Sequence, residues 1–364
     1  MKRQPRAFLI ATICLAVIFS AISCGNPKGF QDKNNDGEEA SEISCKWGYV
    51  DQHGSMVVGF QFDDAWEFSE GLARVKSKGK WGYIDQSGEV VVDFQFDDAG
   101  DFSEGLARVK IGSKWGYIDR SGEVVVDFQF DDAGDFSEGL ALIQSDTDES
   151  YSAIYIDKNG NSVIKLSNYY CTHFSEGLAV IRTESEEGWK AGYIDKNGDM
   201  VIEPRYDQAA EFSEGLAAVS VDGTWGYINK SGNIAIEPQF HWDASFPYDR
   251  ATFSDGLACV FLGDDIGYID ENGDIVIELR AQDAYSFSEG LALVEVDGYH
   301  GYLDKAGQWA IEPQFTQSWP FSEGLAKVGI EGEYGFIDME GNVVIEACYD
   351  ETRGFSDNLA PVRK

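Results

Sequence analysis

Two short motifs recur along most of this 364-residue chain, and their regular spacing restricts its fold more than any other feature. The glycine of a Trp-Gly-Tyr motif stands at positions 48, 82 and 116, with further copies up to position 335. The serine of a Phe-Ser-Glu-Gly-Leu-Ala motif recurs at intervals of 34, 34, 38, 38, 41, 34, 34 and 34 residues, which defines nine units. A period of this length indicates a repeat architecture in which each unit is one small supersecondary motif.

Each unit contains three patterns typical of β-strands, which in the third unit are residues 106–110, 114–119 and 123–128. These patterns are rich in valine, isoleucine, tryptophan and tyrosine, which suit a half-buried pleated surface. Between the second and third patterns, Asp119-x-x-Gly122 predicts a hairpin whose glycine adopts positive φ and whose aspartate caps the turn. The following segment is expected to cross to the next unit, and a very short fourth strand there is left open. Because no amphipathic helical period follows the N-terminal segment, we predict an all-β fold.

A three-stranded meander cannot bury its own faces, so we expect a tandem array of nine three-stranded antiparallel meanders that share a core. The first unit begins at residue 46 without its first strand, and residues 359–362 form a first strand with no partner after them. Pairing these two ends would remove exposed strand edges, which favours a closed, propeller-like or toroidal ring. The unequal intervals keep an open β-solenoid as the alternative. Pro361 suits an edge position but would obstruct pairing elsewhere.

The repeating unit, Lys-Trp-Gly-Tyr-Ile-Asp followed by Phe-Ser-Glu-Gly-Leu-Ala, resembles the WG (or KWG) repeat family of bacterial proteins over residues 46–364. Four units depart from the pattern, with Ile154, Ile266, His300 and Tyr334 at or beside the tryptophan position. That position therefore accepts any sizeable packing group. The resemblance implies a β-repeat scaffold whose molecular role is mostly unassigned, and it implies no catalytic residues.

The N-terminal segment predicts export. Lys2, Arg3 and Arg6 precede an apolar run at 8–22, and Cys24 follows small residues. This arrangement resembles a bacterial lipoprotein signal, although alanine stands at position 21 where leucine is usual, and an ordinary secretory signal is the alternative. We therefore expect a signal peptide at 1–23, a flexible acidic tether at 24–45 and the repeat array at 46–364. Cys24 would carry lipid and anchor the protein in the bacterial cell envelope, at the outer membrane or cell surface.

The net charge of −36 argues against nucleic acid as a partner, because phosphate recognition needs a basic surface. Docking on anionic lipid by charge is disfavoured for the same reason, so the membrane contact should be the N-terminal lipid alone. We expect no cofactor and no metal site. A weak possibility of calcium rests on the repeated aspartates between units and on a tether segment, 32–37, that resembles half of a calcium loop.

Four cysteines lie outside the signal and the lipidation position, namely Cys45, Cys171, Cys259 and Cys348. An exported compartment permits disulfides, and four cysteines allow three pairings. Packed free thiols are the alternative, and the sequence does not choose between them.

A catalytic or binding site should break the repeat pattern. Acidic pairs such as Asp97-Asp98 recur at the same position of several units, and an acidic residue stands at the glutamate position of Phe-Ser-Glu-Gly in every unit; such recurrence is typical of a structural role in turns and at the rim. Three segments differ from the pattern: 165–170, the seven-residue insertion within 241–250, and Trp309 with Trp319-Pro320. Inserted segments of repeat arrays usually lie on one loop face. The insertion therefore predicts a binding patch for protein or glycan, formed by Trp242, Phe246, Tyr248 and Arg250, with packing as an enlarged loop as the alternative.

These features favour a non-catalytic, lipid-anchored envelope protein whose β-repeat array is a scaffold surface for a macromolecular partner, either an envelope protein or a glycan. One alternative is a carbohydrate-active hydrolase that uses acidic residues near 241–252, such as Asp243 or Asp249. A purely structural spacer is the other.

Overall fold

The computed structural model describes residues 45–147, 150–186, 188–241, 248–263 and 265–364. The expected signal peptide, Cys24 and almost all of the tether lie outside these residues.

Regular structure in the described residues consists of β-strands and one short 3-10 helix, Tyr248–Ala251. In chain order the strands are β1 (Trp47–Asp51), β2 (Met56–Phe62), β3 (Asp64–Ser69), β4 (Leu72–Ser77), β5 (Lys80–Asp85), β6 (Val90–Phe96), β7 (Asp98–Ala99), β8 (Leu106–Ile111), β9 (Lys114–Asp119), β10 (Val124–Phe130), β11 (Phe136–Ser137), β12 (Leu140–Thr147), β13 (Ser150–Ile156), β14 (Ser162–Ser167), β15 (Tyr170–Cys171), β16 (Leu178–Ser185), β17 (Gly188–Asp195), β18 (Met200–Tyr206), β19 (Gln208–Ala209), β20 (Leu216–Val221), β21 (Thr224–Asn229), β22 (Ile234–Phe240), β23 (Ala258–Leu262), β24 (Asp265–Ile269), β25 (Ile275–Leu279), β26 (Asp283–Ser288), β27 (Leu291–Val296), β28 (Tyr299–Asp304), β29 (Trp309–Phe315), β30 (Gln317–Ser318), β31 (Leu325–Ile330), β32 (Glu333–Asp338), β33 (Val343–Tyr349), β34 (Glu351–Thr352) and β35 (Leu359–Arg363).

The strands form nine small antiparallel sheets, which are the blades of a closed β-propeller. Blade 1 contains β34, β35, β1 and β2, and the following blades take the remaining strands in chain order. These are β3–β6, β7–β10, β11–β14, β15–β18, β19–β22, β23–β25, β26–β29 and β30–β33. Blade 7, with β23–β25, has three strands in the described residues, and the other eight sheets have four. The all-β fold and the ring are therefore confirmed, and the short fourth strand left open by the sequence is the first strand of a blade.

The two chain ends close the ring by sharing blade 1. β1 pairs antiparallel with β35 along its whole length, with Tyr49 opposite Pro361. Lys46 and Lys364 exchange both backbone hydrogen bonds, at 3.1 and 3.2 Å. Because hydrogen-bonded and non-hydrogen-bonded pairs alternate along an antiparallel ladder, Tyr49 and Pro361, three positions further along, are a non-hydrogen-bonded pair. The missing N–H of Pro361 faces away from β1, and the proline is tolerated inside a sheet rather than at its edge.

Two hairpin turns recur in the blades. In the Asp-x-x-Gly turn, Asp119 Oδ1 accepts the backbone N–H groups of Ser121 and Glu123 at 2.9 and 3.0 Å, and Gly122 has φ 86°. This is the capped turn that the sequence predicts. In the second turn Ser103 and Leu106 exchange backbone hydrogen bonds around Glu104 and a glycine, both with positive φ. Such a two-residue turn matches the twist of the flanking strands.

Neighbouring blades are joined in the core by aromatic pairs. The ring at the tyrosine position of Trp-Gly-Tyr packs on the phenylalanine of Phe-Ser-Glu-Gly in the next blade, with centroids 4.7–5.1 Å apart at all nine junctions. At eight junctions the buried tyrosine hydroxyl also donates to a backbone carbonyl of that blade at 2.6–2.8 Å. At the ninth junction Phe336 has no hydroxyl, and Thr352 Oγ1 lies 3.1 Å from the corresponding carbonyl, that of Arg353, and 2.8 Å from its closer acceptor, the Pro361 carbonyl. The two repeat motifs are thus the two halves of one interface.

Candidate functional site

The serine of the Phe-Ser-Glu-Gly motif forms a ring of hydrogen bonds that passes through all the blades. Each hydroxyl donates to the backbone carbonyl of the motif phenylalanine in the next blade, at 2.6–2.9 Å. The last bond, from Ser356 to Phe68, returns to the start of the ring.

The acidic residue of the same motif forms a second ring. Its carboxylate accepts a hydrogen bond from a backbone N–H of the next blade, at 2.7–3.0 Å. The donor is the residue that follows the acidic residue of that blade; Glu104, for example, accepts from Gly139. The acidic residues themselves have φ of 52–58°, which is uncommon for a residue other than glycine. The recurrence of this glutamate therefore reflects a structural role, as the sequence indicates.

These two rings mark the inner edge of the blades. Radially arranged sheets diverge with distance from the axis, so equivalent residues of successive blades can touch one another directly only near the axis. The first strand of each blade therefore lies next to the central channel. A 450 Å³ cavity agrees with this, because Thr172, Ala210 and Thr252, from three successive blades, line it together.

The recurrent acidic pairs also bond to the scaffold. Asp97 contacts Lys80 at 2.5 Å, and Asp131 contacts Lys114 at 2.6 Å. The hydrogen bond from Lys80 and the backbone N–H of Gly112 hold the pKa of Asp97 below its ordinary value. Among the described residues, no group of three or more His, Cys, Asp and Glu side chains is placed to hold a metal ion.

The binding patch predicted from the insertion is largely outside the described residues. Trp242 and Phe246 lie outside them, as does Asp243, and for Tyr248 only the backbone is described. Arg250 lies at the inner edge of blade 7, where it forms an ion pair with Asp283 of blade 8 and its guanidinium carbon lies 3.9 Å from the Tyr285 ring centroid. Arg250 therefore belongs to a blade junction.

A different set of residues breaks the repeat pattern at the channel. The residue two positions before the motif phenylalanine is small in five successive blades, as Gly100, Gly134, Thr172, Ala210 and Ala251. In the other four blades, which are also successive, it is Tyr285, Trp319, Arg353 and Trp66. We call these four residues the inner-wall arc.

Two guanidinium groups contact one indole in the arc. The guanidinium carbons of Arg353 and Arg74 lie 3.6 and 4.0 Å from the centroid of Trp66. Arg353 also bonds to Asp64 at 3.0 Å and Arg74 to Asp101 at 2.7 Å. Burial lowers the pKa of Arg353, and the neighbouring carboxylates oppose that shift. Cation–π contacts of this kind contribute about 0.5–2 kcal/mol each, so the indole is held in place.

Trp319 forms a second aromatic–cation group with Lys327 and Tyr334. Lys327 Nζ lies 3.9 Å from the Trp319 ring centroid and 4.3 Å from that of Tyr334, and it donates to the Thr352 carbonyl at 2.7 Å. The two rings meet edge to face at 5.8 Å. Burial lowers the pKa of the Lys327 ammonium, and the Glu351 carboxylate partly offsets this.

Two cavities adjoin at Trp319 and Pro320, which line both of them. The larger, of 510 Å³, is also lined by Trp66, Glu67, Ser322, Leu325, Lys327, Glu351, Thr352, Arg353 and Gly354. The smaller, of 400 Å³, is also lined by Tyr285, Leu293, His300, Gln317, Ser318 and Tyr334. The sequence marks Trp319-Pro320 as a departure from the pattern, but sequence reasoning missed Trp66, Tyr285 and Arg353. The missed signal lies at the position two residues before the motif phenylalanine, where four units have a large residue in place of a small one.

Cys171 and Cys259 carry no disulfide. Burial raises the pKa of each of these two thiols to about 12, so neither is poised as a nucleophile. In the described part of the chain we find no helix with the length and apolar character needed to span a membrane.

The blades, their junctions and the closing pair of strands define a repeat β-propeller with a differentiated inner wall. The model of the family described as WG containing repeat matches nine segments, 47–81, 81–115, 115–146, 155–185, 192–225, 225–264, 266–299, 301–334 and 334–364. The chain therefore belongs to the WG repeat family, as the motifs predict. Comparison with curated proteins finds no match.

Comparison with solved structures finds similar chains at low sequence identity. A crystal structure of a eukaryotic initiation factor is 10% identical, covers 89% of this chain and 98% of its own, and superposes with a TM-score of 0.59. Hsv2 of Kluyveromyces lactis is 12% identical, with a TM-score of 0.39 over 72% of this chain and 91% of its own. The first of these likenesses shows the propeller fold alone.

Proposed function

We propose that this protein is a non-catalytic scaffold, anchored by lipid in the bacterial cell envelope, that binds a macromolecular partner at the inner-wall arc. The observation that carries the proposal is the gathering of large aromatic and cationic side chains on four successive blades, around adjoining cavities of 510 and 400 Å³. Cavities of this size, with aromatic walls and a few polar groups, are typical of binding sites.

Binding is favoured over catalysis because the recurrent acidic side chains have structural partners. Those of the Phe-Ser-Glu-Gly motif accept backbone N–H groups between blades, and those that precede the inner strands bond to lysines. A hydrolase would instead need two carboxylates set apart from the rest by their surroundings.

The envelope location rests on the N-terminal sequence, with its basic start, apolar run and Cys24. A lipid anchor also suits the net charge of −36, because so acidic a protein would be held at a membrane by covalent lipid and not by attraction to anionic headgroups.

The test compares the full chain with a Cys24→Ala variant expressed in bacteria. We expect the wild-type protein in the membrane fraction and the variant outside it, and we expect chemical crosslinking in intact cells to trap a partner with the wild-type protein alone. Equal membrane association of both proteins would contradict lipid anchoring. Turnover of a polysaccharide by the purified protein, lost on mutation of a single carboxylate, would contradict the non-catalytic role.

A further inference from the structure

We propose that the two cavities beside Trp319 bind a neutral oligosaccharide. This inference rests on the proposed function, because it names the class of partner that the inner-wall arc recognises. Trp319 separates the cavities, and its side chain remains 39% exposed, so part of its ring surface is available to a ligand.

The cavity walls offer the two kinds of contact that a sugar needs. A pyranose ring has an apolar C–H face, which packs on an aromatic ring, and hydroxyl groups that both donate and accept hydrogen bonds. The larger cavity supplies the exposed part of the Trp319 indole, two carboxylates and two cations. In the smaller cavity the amide of Gln317 and the rings of Tyr285 and Tyr334 supply the same combination.

Charge excludes the main competing ligands. Lys327 and Arg353 on the wall of the larger cavity are balanced by Glu67 and Glu351, so the cavity has no surplus charge to hold an ion. The rest of the chain, with a net charge of −36, repels anionic ligands. A cationic peptide would find no surplus negative charge in the larger cavity, because the charges of Glu67 and Glu351 are balanced by those of Lys327 and Arg353.

The geometry also indicates more than one sugar unit. Each cavity falls within the range of about 300–1,000 Å³ that is typical of small-molecule sites. Because Trp319 forms the shared wall, a linear oligosaccharide would place successive units on either side of it. Lys327 and the edge of Tyr334 fix the orientation of the indole, which lowers the entropy cost of stacking.

The experiment measures binding of cellohexaose, chitohexaose and maltohexaose to the full chain by titration calorimetry and tryptophan fluorescence, with oligogalacturonate as the anionic comparison. We expect at least one neutral oligosaccharide to bind more tightly than oligogalacturonate, and Trp319→Ala to weaken that binding by about tenfold or more. The matched control is Trp189→Ala, which removes another exposed tryptophan, in blade 5, and should leave affinity unchanged. Trp319→Phe keeps an aromatic face and should retain most of the affinity, which separates loss of contact from misfolding.

The inference is overturned if no neutral oligosaccharide binds at concentrations up to about 10 mM, where even a Kd in the millimolar range gives a signal. It is also overturned if Trp319→Ala and Trp189→Ala have equal effects, or if oligogalacturonate or a protein competes for the same site more tightly. Membrane association and crosslinking are independent of this result. A partner trapped in cells without oligosaccharide binding would therefore reject the inference and leave the scaffold proposal intact.

Discussion

Removal of one buried tyrosine hydroxyl tests whether the blade junctions stabilise the ring as the structure indicates. Tyr193 donates to the Ala210 carbonyl at 2.8 Å in a fully buried site, and its ring packs on Phe212 at 4.9 Å. Tyr193→Phe keeps the ring contact and leaves the carbonyl without this donor, which costs about 1–2 kcal/mol in the free energy of unfolding. Burial raises the pKa of Tyr193 far above its ordinary value, so the hydroxyl remains a donor at any practical pH.

The assay is urea denaturation of wild-type and variant proteins at one pH, with thermal melting as a second measurement. A loss of 1–2 kcal/mol lowers the midpoint without changing the slope, and over an array of this length it lowers Tm by roughly 1.5–3 °C.

The chain provides its own control at the ninth junction. Phe336→Tyr restores the hydroxyl present at the other eight junctions. Because Thr352 Oγ1 is closer to the Pro361 carbonyl, at 2.8 Å, than to the Arg353 carbonyl, at 3.1 Å, the latter can accept the new bond, and we expect a gain of about 1 kcal/mol. An unchanged urea midpoint for either variant would refute this account of the junctions.

Three further predictions concern closure, pH and turns. Deletion of residues 359–364 removes the buried side chains of Leu359, Ala360 and Val362 together with the pairing to β1. We expect the free energy of unfolding to fall by about 3–6 kcal/mol, or cooperative unfolding to be lost altogether. An unaltered urea transition would contradict ring closure. Although burial raises the pKa of Glu138, its bonds to Lys196 and to a backbone N–H outweigh this and hold that pKa below its ordinary value. The stability that these bonds provide is present above the unfolded pKa of about 4.3 and is lost as pH falls through the folded pKa. In acid titrations, the free energy of unfolding of Glu138→Gln should therefore depend less on pH below about pH 5. Gly122→Ala should destabilise the protein more than Gly139→Ala, as measured by urea denaturation. Both glycines have positive φ, but a Cβ on Gly122 would lie 3.0 Å from Val92, whereas a Cβ on Gly139 meets nothing within 4 Å. Equal effects would show that backbone strain alone determines the loss.

The sequence predicts the fold well because each structural requirement recurs in it. The sequence alone shows the Asp-x-x-Gly turns, the strand patterns and the unpaired strands at the two chain ends. Together these features favour a closed ring. The role of Phe-Ser-Glu-Gly is less legible. The side chains of its serine and glutamate bond to the next blade, and only the closed ring brings Ser356 next to Phe68.

The candidate site was harder to predict because its residues are far apart in the chain. The insertion at 241–250 is conspicuous, yet Arg250, the one residue of the predicted four-residue patch with a described side chain, contacts Asp283 within a blade junction. Trp66 and Arg353 are 287 positions apart and meet only because blade 1 closes the ring, with the guanidinium 3.6 Å from the indole. A single-residue departure in one unit carries little weight until the ring shows which units are neighbours.

The same hydrogen-bonded rings explain why a binding site should arise at the inner-wall arc. The serine and acidic side chains of the motif bond to the next blade and its phenylalanine packs on the preceding one, so a substitution there disturbs a junction. The residue two positions before the phenylalanine contributes its backbone carbonyl to the tyrosine hydroxyl, as Gly100 does for Tyr83, and that bond is independent of its side chain. That side chain varies with its surroundings: a Cβ on Gly100 would lie 2.7 Å from the Arg108 side chain, whereas Trp319 fits at the equivalent position and keeps the same tyrosine–carbonyl bond. Large residues at this position on four successive blades can create a recognition surface while the backbone carbonyl still accepts the tyrosine hydroxyl, which is why we expect Trp319→Ala to affect binding more than folding.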